Sequence, residues 1–556
     1  MPGGLIQLVN KGAQDQLVTG QPSFTHFRSM YKRHTEFAME HFVLNFRGTS
    51  LDLLPQSTRI LRAKVDRNAQ LLHDSYIFVN LPDIYSPVNP ISSTKAVGYE
   101  FQWISNLGYN MIQSVSLLIN GTAIATHTGE WMKLYSYITH NESKRKIIDR
   151  MVGNLPELKD PANSYGKFNQ YPHSITNSTD PTKAAAPSIL GRQLVIPLHF
   201  WFCEDIGASI PLVALQYSEV EIVVEFRSIY DLFTIKDVEL RSSTFGQRIT
   251  PNPGNPLHSM NRFLSPPNIL GTPINTSLTT WQLTPYIEST YIFLSDTEMK
   301  EFAKSDMSFL IKDVRPVQKN GLYGPSNDIE LSMTNLCTRI VWTTQRSDLI
   351  SKNVYDNYIN WSNKTPQLNL TGITGTNLTQ VYSSGLIQGT NISQKDILVD
   401  TTLVFDGSNR EDTKTKAFFD DLQHYKHHTG YPLDGIYTYS FAIDHSKQPS
   451  GHINGSMYNK TMLRVSLQDP PITGSTGTTT SQCILKSTAF NRRPTVVTPN
   501  LKKPDGTLLY NPDEVMNIIS NGSAEERPYT YTVVAHVESY NFLRITRGIA
   551  NVVFSS

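Results

Sequence analysis

The sequence predicts an all-β protein made of two sandwiches in tandem. Short runs of alternating apolar and polar residues recur along the chain, which is the pattern of half-buried strands. Gly and Pro number 32 each while charged residues make up only 17%, a composition that favours turns and strands over long helices. At 556 residues the chain is too long for a single core, and two sandwiches of about 200–250 residues each would account for it.

The densest apolar stretch is 194–226, which predicts two strands of a packed sandwich. Apolar side chains occupy both faces of the alternation from 194 to 203, including Phe200, Trp201 and Phe202, so the first strand is expected to be buried on both sides. The second strand alternates Val220, Ile222, Val224 and Phe226 with three glutamates. We expect these glutamates, Glu219, Glu221 and Glu225, to face solvent rather than a neighbouring subunit.

Local signals define further elements of the first half. Asn120-Gly121 between two alternating runs predicts a hairpin, because both residues tolerate the positive φ of a type I′ turn. A helical period over 130–151 predicts the best helix of the chain, with a break near Asn141. The Pro-, Asn- and Ser-rich segment 153–190 predicts a long surface loop.

The second half repeats this arrangement of strands and loops. Strands are predicted at 289–294, 437–443, 461–467 and 529–537, with a strand pair formed by 328–333 and 338–343. Helices are predicted at Asp296–Lys304 and at 414–425. The polar segments 360–402 and 473–481 predict long loops.

These patterns suggest four segments. Residues 1–27 are an N-terminal arm, 28–227 the first sandwich, 228–280 a proline-rich linker excursion, and 281–556 the second sandwich. The aromatic and basic residues that follow the arm, among them Arg28, Lys32 and Arg33, could touch an acidic partner. A solvated lead-in to the first strand is the preferred interpretation.

The totals exclude several classes of protein. A formal net charge of +1, from 49 basic and 48 acidic residues, argues against a nucleic-acid partner for the whole chain. The cysteines, Cys203, Cys337 and Cys483, are widely spaced and odd in number, which indicates reduced thiols rather than a disulfide framework. The first residues do not have the pattern of a signal peptide, and no run is apolar enough to span a membrane.

No motif predicts catalysis, a cofactor or a metal. The chain lacks Gly-x-Ser-x-Gly, Walker A, His-Glu-x-x-His and Cys-x-x-Cys patterns. His424, His427 and His428 have a spacing that could bind a metal, but no carboxylate or cysteine complements them, and a solvated helix end is preferred. Asn-x-Ser/Thr sequons are abundant, for example at Asn360, and are read as a product of the polar composition. We therefore predict no catalytic, cofactor-binding or metal-binding residues.

Motifs along nearly the whole chain resemble one family, the double jelly-roll major capsid proteins of nucleocytoplasmic large DNA viruses. In the first half they are Gly3-Gly4-Leu5, Gly12-Ala13-Gln14-Asp15, Tyr31-Lys32-Arg33, Ile196-Pro197-Leu198-x-Phe200-Trp201-Phe202 and Ala214-Leu215-Gln216-Tyr217. In the second half they are Tyr291-Ile292-Phe293-Leu294, Tyr439-Ser440-Phe441-Ala442, Gln448-Pro449-Ser450-Gly451 and Tyr540-Asn541-x-Leu543-Arg544-Ile545. The chain departs from the family at Ser218, where a His is common, and in the weakened Gly-rich close at 546–550.

The resemblance implies two eight-stranded jelly rolls standing side by side. Three chains would form a homotrimeric, pseudo-hexagonal capsomer that tiles the icosahedral shell of a virion assembled in the host cytoplasm. Its partners would be itself, neighbouring capsomers, and minor capsid proteins or the inner membrane at the N-terminal arm. Enzymatic activity and sequence-specific nucleic-acid binding are not implied. The outer face would carry the loops 360–402 and 473–481.

Two alternatives from other classes stay open at this point. Jelly rolls also occur in carbohydrate-binding and carbohydrate-cleaving proteins, which would need a concave sheet with exposed aromatics and paired carboxylates or a Ca²⁺ site. A viral adhesin would place its variable loops at the tip of an elongated trimer.

Overall fold

A computed structural model describes most of the chain. The described residues are 2–48, 50–86, 99–167, 171–174, 186–237, 248–265, 281, 283–304, 306–360, 388–389, 395–445, 448–470, 482–483 and 529–554. The predicted loop 473–481 and most of 360–402 lie outside them.

Strands dominate this part of the chain. They are β1 Phe37–Arg47, β2 Arg59–Lys64, β3 Leu71–Leu81, β4 Glu100–Trp103, β5 Ile112–Ile119, β6 Thr122–Thr128, β7 Arg192–Pro197, β8 Ile210–Pro211, β9 Val220–Phe226, β10 Phe233–Lys236, β11 Arg248–Ile249, β12 Tyr286–Leu294, β13 Met307–Leu322, β14 Asn327–Glu330, β15 Leu336–Arg346, β16 Gln388–Gly389, β17 Leu398–Phe405, β18 Ser408–Thr415, β19 Ile436–Ser440, β20 Ile453–Asn454, β21 Thr461–Leu467, β22 Gln482–Cys483, β23 Tyr531–Thr546 and β24 Ile549–Val552.

The helices are short and lie between strands or in the arm. They are α1 Gly3–Val9, α2 Asp15–Thr19, α3 Leu107–Met111, α4 Gly129–Thr139, α5 Glu142–Met151, α6 Pro156–Lys159, α7 Trp201–Glu204, α8 Asp296–Lys304, α9 Ser347–Ile350 and α10 Gln423–His427, which continues a π-helical turn at Phe418–Leu422.

The strand order identifies the first unit as a jelly roll. Its sheet runs β6-β5-β9-β2-β1-β12-β3-β7, and all its pairings are antiparallel. Counted along the chain, β1-β12-β3-β7 holds the first, eighth, third and sixth of these strands, and β2-β9-β5-β6 holds the second, seventh, fourth and fifth. This order is that of a chain folded as two Greek keys.

The second unit repeats the same order with separate sheets. One sheet runs β13-β23-β15-β19 and the other β14-β21-β17-β18. Counted along the chain, these are again the first, eighth, third and sixth strands facing the second, seventh, fourth and fifth. The predicted fold, two tandem eight-stranded jelly rolls with short helices in the loops, is confirmed.

Each jelly roll has its own core, filled from both sheets by the apolar half of the alternation. In the first, Ile77 of β3 and Ile222 of β9 are fully buried in one cluster. In the second, Trp342 of β15 and Val465 of β21 share a cluster, and the Trp342 ring meets that of Phe419 edge-on at 5.1 Å. Side chains that alternate at period two on facing sheets account for both cores.

The stretch 194–226 is only partly as predicted. The strand β9 alternates buried and half-buried residues as expected. The strand β7 ends at Pro197 instead of continuing to 203, and α7 follows. Proline has no N–H to continue the ladder, and the turn stacks the rings of Phe200 and Phe202 5.6 Å apart within the core.

Two pairings differ from the sequence-based expectation. The strand predicted at 289–294 exists as β12, but it pairs with β1 and β3 and is the eighth strand of the first jelly roll. The segments 328–333 and 338–343 do not pair; β14 joins β21 and β15 joins β23 and β19, in opposite sheets. A period-two pattern reports which side of a strand is buried, and it carries no information on the partner strand.

Residues 228–280, predicted to be a linker excursion, also differ from the prediction. Its described residues form β10 and β11, which join β4 in a three-stranded sheet. Phe233, Ile235 and Phe263 are buried in the first core, so this segment folds with the first jelly roll. The division of the chain into domains remains a proposal, and β12 favours a boundary after residue 294 instead of at 281.

The predicted turn and most of the predicted helices agree with the structure. Asn120 and Gly121 have φ of 52° and 78° between β5 and β6, as the hairpin requires. The predicted helix 130–151 is present as α4 and α5, separated at His140–Asn141, and α8 covers the predicted range. The helix expected over 414–425 is shifted by two residues: it starts after β18, which ends at Thr415, and continues to His427.

Candidate assembly site: the junction between the two jelly rolls

The two jelly rolls meet along a contact centred on α4, and we call this contact the junction. The helix follows β6 directly, and the Thr128 hydroxyl caps it by accepting a hydrogen bond from the Trp131 N–H at 3.1 Å. Met132 packs into the first core, whereas Trp131 and Tyr135 belong to a cluster shared with the second jelly roll. The other members of that cluster are Leu134, Tyr137, Ile138, Val314, Val341, Tyr358 and Ile436.

A buried ion pair crosses the junction. Lys133 of α4 is 1% exposed, and its Nζ lies 2.7 Å from Oδ1 of Asp356, in the segment that follows α9. Nζ also donates to Oδ1 of Asn110 at 3.2 Å and to the carbonyl of Tyr355 at 3.0 Å. Asp356 accepts further hydrogen bonds from the amides of Asn106 and Asn110. The pair is enclosed by polar partners, which is the condition under which buried charges are tolerated.

Two further ion pairs form a neutral quartet beside α4. Arg339 of β15 donates to Glu538 of β23 at 2.7 Å, and Lys312 of β13 donates to Glu204 of α7 at 2.8 Å. The second pair links the two jelly rolls. Burial raises the pKa of Glu538, but Arg339 and Lys312 outweigh burial and hold that pKa below its ordinary value. The carboxylate therefore stays charged.

Aromatic rings of α4 complete the surroundings of Arg339. Its guanidinium carbon lies 5.6 Å from the ring centroids of both Trp131 and Tyr135, a distance at which the ring faces attract a cation. The cation of one jelly roll is thus held by the rings of the other.

Backbone contacts close the junction at the far end of α4. The N–H of Gly430 donates to the carbonyl of Ile138 at 3.0 Å, and the Thr429 hydroxyl donates to the carbonyl of Thr139 at 2.6 Å. A Cβ on Gly430 would collide with the carbonyl oxygen of Tyr137, so only glycine permits this approach. Together these contacts make α4 a central part of the connection between the two jelly rolls.

Sequence reasoning did not find the residues of the junction. Lys133, Arg339 and Glu538 each stand within an apolar run, which was the available signal. A charged side chain is almost never fully buried unless it is paired, so a charge within an apolar run indicates a partner elsewhere in the chain.

The aromatic stretch and the histidines singled out in the sequence lie in different parts of the structure. Phe200, Trp201 and Phe202 are buried in the first core, as predicted. The His424 ring contacts the Ile436 carbonyl through Nε2 at 3.1 Å, whereas His427 turns to the Ile443 carbonyl at 2.8 Å. Within the described part of the chain, no three His, Cys, Asp or Glu side chains are placed to hold a metal ion.

The structure also places two of the cysteines and one glycosylation sequon, and it bears on membrane-spanning helices. Cys203 and Cys337 carry free thiols. The sequon residue Asn360 is buried and accepts hydrogen bonds from Tyr529 and Tyr531 at 2.8 and 3.2 Å, a position that a glycan cannot share. Among the described helices, none has the length and apolar character needed to cross a membrane.

Glu219, which precedes β9, and the two glutamates of β9 find partners within the chain. Glu219 is exposed and pairs with Lys64, Glu221 lies 3.8 Å from Arg62, and Glu225 accepts a hydrogen bond from Ser114 at 3.0 Å. The prediction that no neighbouring subunit contacts this face remains a prediction.

Comparison with known proteins shows that this chain is similar to viral capsid proteins. A family model described as "Major capsid protein N-terminus" matches residues 25–255, and one described as "Large eukaryotic DNA virus major capsid protein" matches residues 298–496. The major capsid protein of Phaeocystis pouchetii virus is 25% identical over 532 residues, covering 85% of this chain and 94% of its own. Probable capsid protein 4 of Acanthamoeba polyphaga mimivirus is 24% identical, covering 84% and 93%.

Solved structures agree with the fold. The VP54 protein of PBCV-1 superposes with a TM-score of 0.60 at 18% identity, covering 96% of this chain and all of its own. The Faustovirus major capsid protein superposes with a TM-score of 0.59 at 12% identity, covering 96% and 94%. With both family models matched in order and the double jelly roll in place, this chain belongs to the major capsid proteins of large eukaryotic DNA viruses.

Proposed function

We propose that three copies of this chain form a pseudo-hexagonal capsomer that tiles an icosahedral shell. The observation that carries the proposal is the junction, which joins two jelly rolls of identical strand order into one unit. Three such units around an axis present six similar lobes. A closed trimer of this kind needs a heterologous interface, in which one jelly roll of each copy meets the other jelly roll of the next.

Apolar side chains on the outer face of the first jelly roll support such a contact. Met39 and Val43 of β1 are 46% and 52% exposed, and Ile60 of β2 is 57% exposed. Met39 and Val43 are four residues apart in β1, so both side chains belong to the same outward row of this strand. We assign this row to the contact with a second copy, because obligate interfaces are more apolar than the remaining surface.

The purified chain is expected to be a trimer by light scattering at micromolar concentration, with pseudo-hexagonal particles in electron micrographs. Each interface should bury more than about 2,000 Å². The double variant Met39→Asp, Val43→Asp should remain folded, since both side chains are exposed, but should be monomeric because charges would be trapped in the interface.

Val43→Ile keeps the apolar surface and should remain trimeric, which makes it the matched control. A wild-type chain that stays monomeric at these concentrations would contradict the capsomer, and a trimeric double variant would move the interface elsewhere.

We further propose that the N-terminal arm binds the acidic surface of the inner membrane, with minor capsid proteins as the alternative partner. Apolar side chains of the arm and of the residues just after it are largely exposed: Leu17 at 88% and Phe27 at 98% in the arm, and Tyr31 at 84% after it. The basic residues Arg28, Lys32 and Arg33 flank Phe27 and Tyr31 in the sequence. Apolar side chains interleaved with basic ones suit an anionic lipid surface. Assembly in the host cytoplasm is part of the same proposal.

The trimer should sediment with vesicles that contain phosphatidylserine and not with vesicles of phosphatidylcholine alone. The triple variant Arg28→Gln, Lys32→Gln, Arg33→Gln should lose most of this binding, since each basic residue near such a surface contributes about 1 kcal/mol. Unchanged binding by the variant, or no binding by the wild type, would favour the minor capsid proteins instead.

A further inference from the structure

Two histidines are buried at the junction without hydrogen-bond partners in the described part of the chain. His127 of β6 is 3% exposed and His536 of β23 is 1% exposed, and neither ring nitrogen of either residue is paired there. The His127 ring stacks on Phe200 at 5.0 Å, and the His536 ring lies 5.5 Å from Trp131. One histidine comes from each jelly roll.

Such sites accommodate the neutral imidazole and oppose the imidazolium. Protonation gives the ring two N–H donors and a positive charge, and a buried charge without partners is strongly disfavoured. The aromatic neighbours supply stacking surface and no acceptor. Opening the junction would expose both rings to water, where the charged form is stable.

We propose that the junction is a proton-sensitive latch, closed while His127 and His536 are neutral and released when the surrounding solution becomes acidic. The latch lies within one chain, so it does not depend on the proposed trimer.

The charged groups that face the His127 ring would not balance the positive charge of an added proton. His127 faces Glu538 of β23 and Lys312 of β13, and His199 lies within electrostatic reach of it. These charges belong to the quartet of Arg339, Glu538, Lys312 and Glu204, whose two cations and two anions are already paired. A proton on His127 would therefore add an unbalanced positive charge.

The surroundings of His536 lead to the same conclusion. Its ring faces Glu130 and Lys133 of α4, and its neighbours in register on β13 and β15 are Pro316 and Val341, which carry no charge. Glu130 already accepts a hydrogen bond from Thr343 at 3.2 Å, and Lys133 is paired with Asp356.

The direction of the pKa shifts defines the pH range. Burial lowers the pKa of His127 from 6.5 to about 4, with Glu538 opposing and Lys312 adding to the shift. Burial also lowers the pKa of His536, with Glu130 opposing and Lys133 adding. Since the closed form binds fewer protons than the open form, closure is fully favoured above the ordinary value of 6.5 and weakens as the pH falls toward 4. Within this range His127 raises the open population about tenfold per pH unit, and His536 acts in the same direction.

Other histidines near the junction act in the same direction. Burial lowers the pKa of His140 and of His424 to about 4 and that of His445 to about 2. The rings of His428 and His445 stack at 5.0 Å, and both lie near Arg339.

Hydrogen exchange of the intact chain measures how often the latch opens. Between pH 7.5 and pH 5.5, after correction for intrinsic exchange rates, exchange of the α4 amides in the wild type is expected to increase more than about tenfold, since His127 alone contributes about tenfold and His536 adds in the same direction. The double variant His127→Phe, His536→Phe keeps ring stacking without a titratable nitrogen at these two positions, and its increase should be at least about tenfold smaller than that of the wild type.

Two additional variants keep the test decisive. His127→Gln, His536→Gln should behave like the Phe variant and serves if the larger rings prevent folding. His427→Gln changes a half-buried ring that bonds the Ile443 carbonyl outside the junction, and it should retain the wild-type response. Exchange that is independent of pH in the wild type, or a full response in both double variants, would overturn the latch. Light scattering of the same samples reports on the trimer separately.

Discussion

Replacing Lys133 with methionine is expected to lower the free energy of unfolding by about 3–5 kcal/mol, because it leaves the Asp356 carboxylate buried without its cation. Lys133 and Asp356 are both almost fully buried, and their contact atoms are 2.7 Å apart. The remaining donors to Asp356 include the amides of Asn106 and Asn110, which satisfy hydrogen bonds without neutralising the charge. Urea unfolding monitored by circular dichroism measures the change.

The control removes both charges. The double variant Lys133→Met, Asp356→Asn should recover more than half of the lost stability, because the cost lies in an unpaired buried charge and not in the missing pair itself. If the single Met variant unfolds within about 0.5 kcal/mol of the wild type, as surface substitutions do, then this pair does not support the junction.

Trp131→Ala is expected to cost about 3–5 kcal/mol, the usual range for removing a large aromatic side chain from a packed site. The ring is buried between the two jelly rolls and faces Arg339 and His536. Its loss would create a cavity and also remove the aromatic surface that stabilises the Arg339 cation. The same urea titration, combined with hydrogen exchange of β15, reports both effects.

Tyr425→Ala is the matched control, since it also removes an aromatic ring but from a side chain that is 87% exposed. Its effect should stay within about 0.5 kcal/mol. Equal effects of the two substitutions would contradict the assignment of Trp131 as the packing centre of the junction.

Local patterns predicted much of the secondary structure. The hairpin at Asn120-Gly121, the separation of α4 from α5, and the bounds of α8 follow from turn propensity and helical period, which act within a few residues. The resemblance carried by dispersed motifs predicted the double jelly roll, which the strand order confirms.

Long-range arrangement was predicted less well. The strand β12 appeared to open the second jelly roll, yet it lies between β1 and β3 and completes the first. The proline-rich segment 228–280 appeared to be a linker, but Phe233 and Phe263 anchor it in the first core. In both cases the pattern described local exposure, while the partner strand is chosen by packing across the whole sheet.

The sequence by itself determined the all-β class, the local turns and helices, and the family resemblance. Only the tertiary structure decided how the two halves are joined. Lys133 and Asp356 are 223 residues apart in the chain, and Arg339 and Glu538 are 199 apart. No local pattern relates such positions, because a buried charge acquires its partner only when the fold excludes water from both.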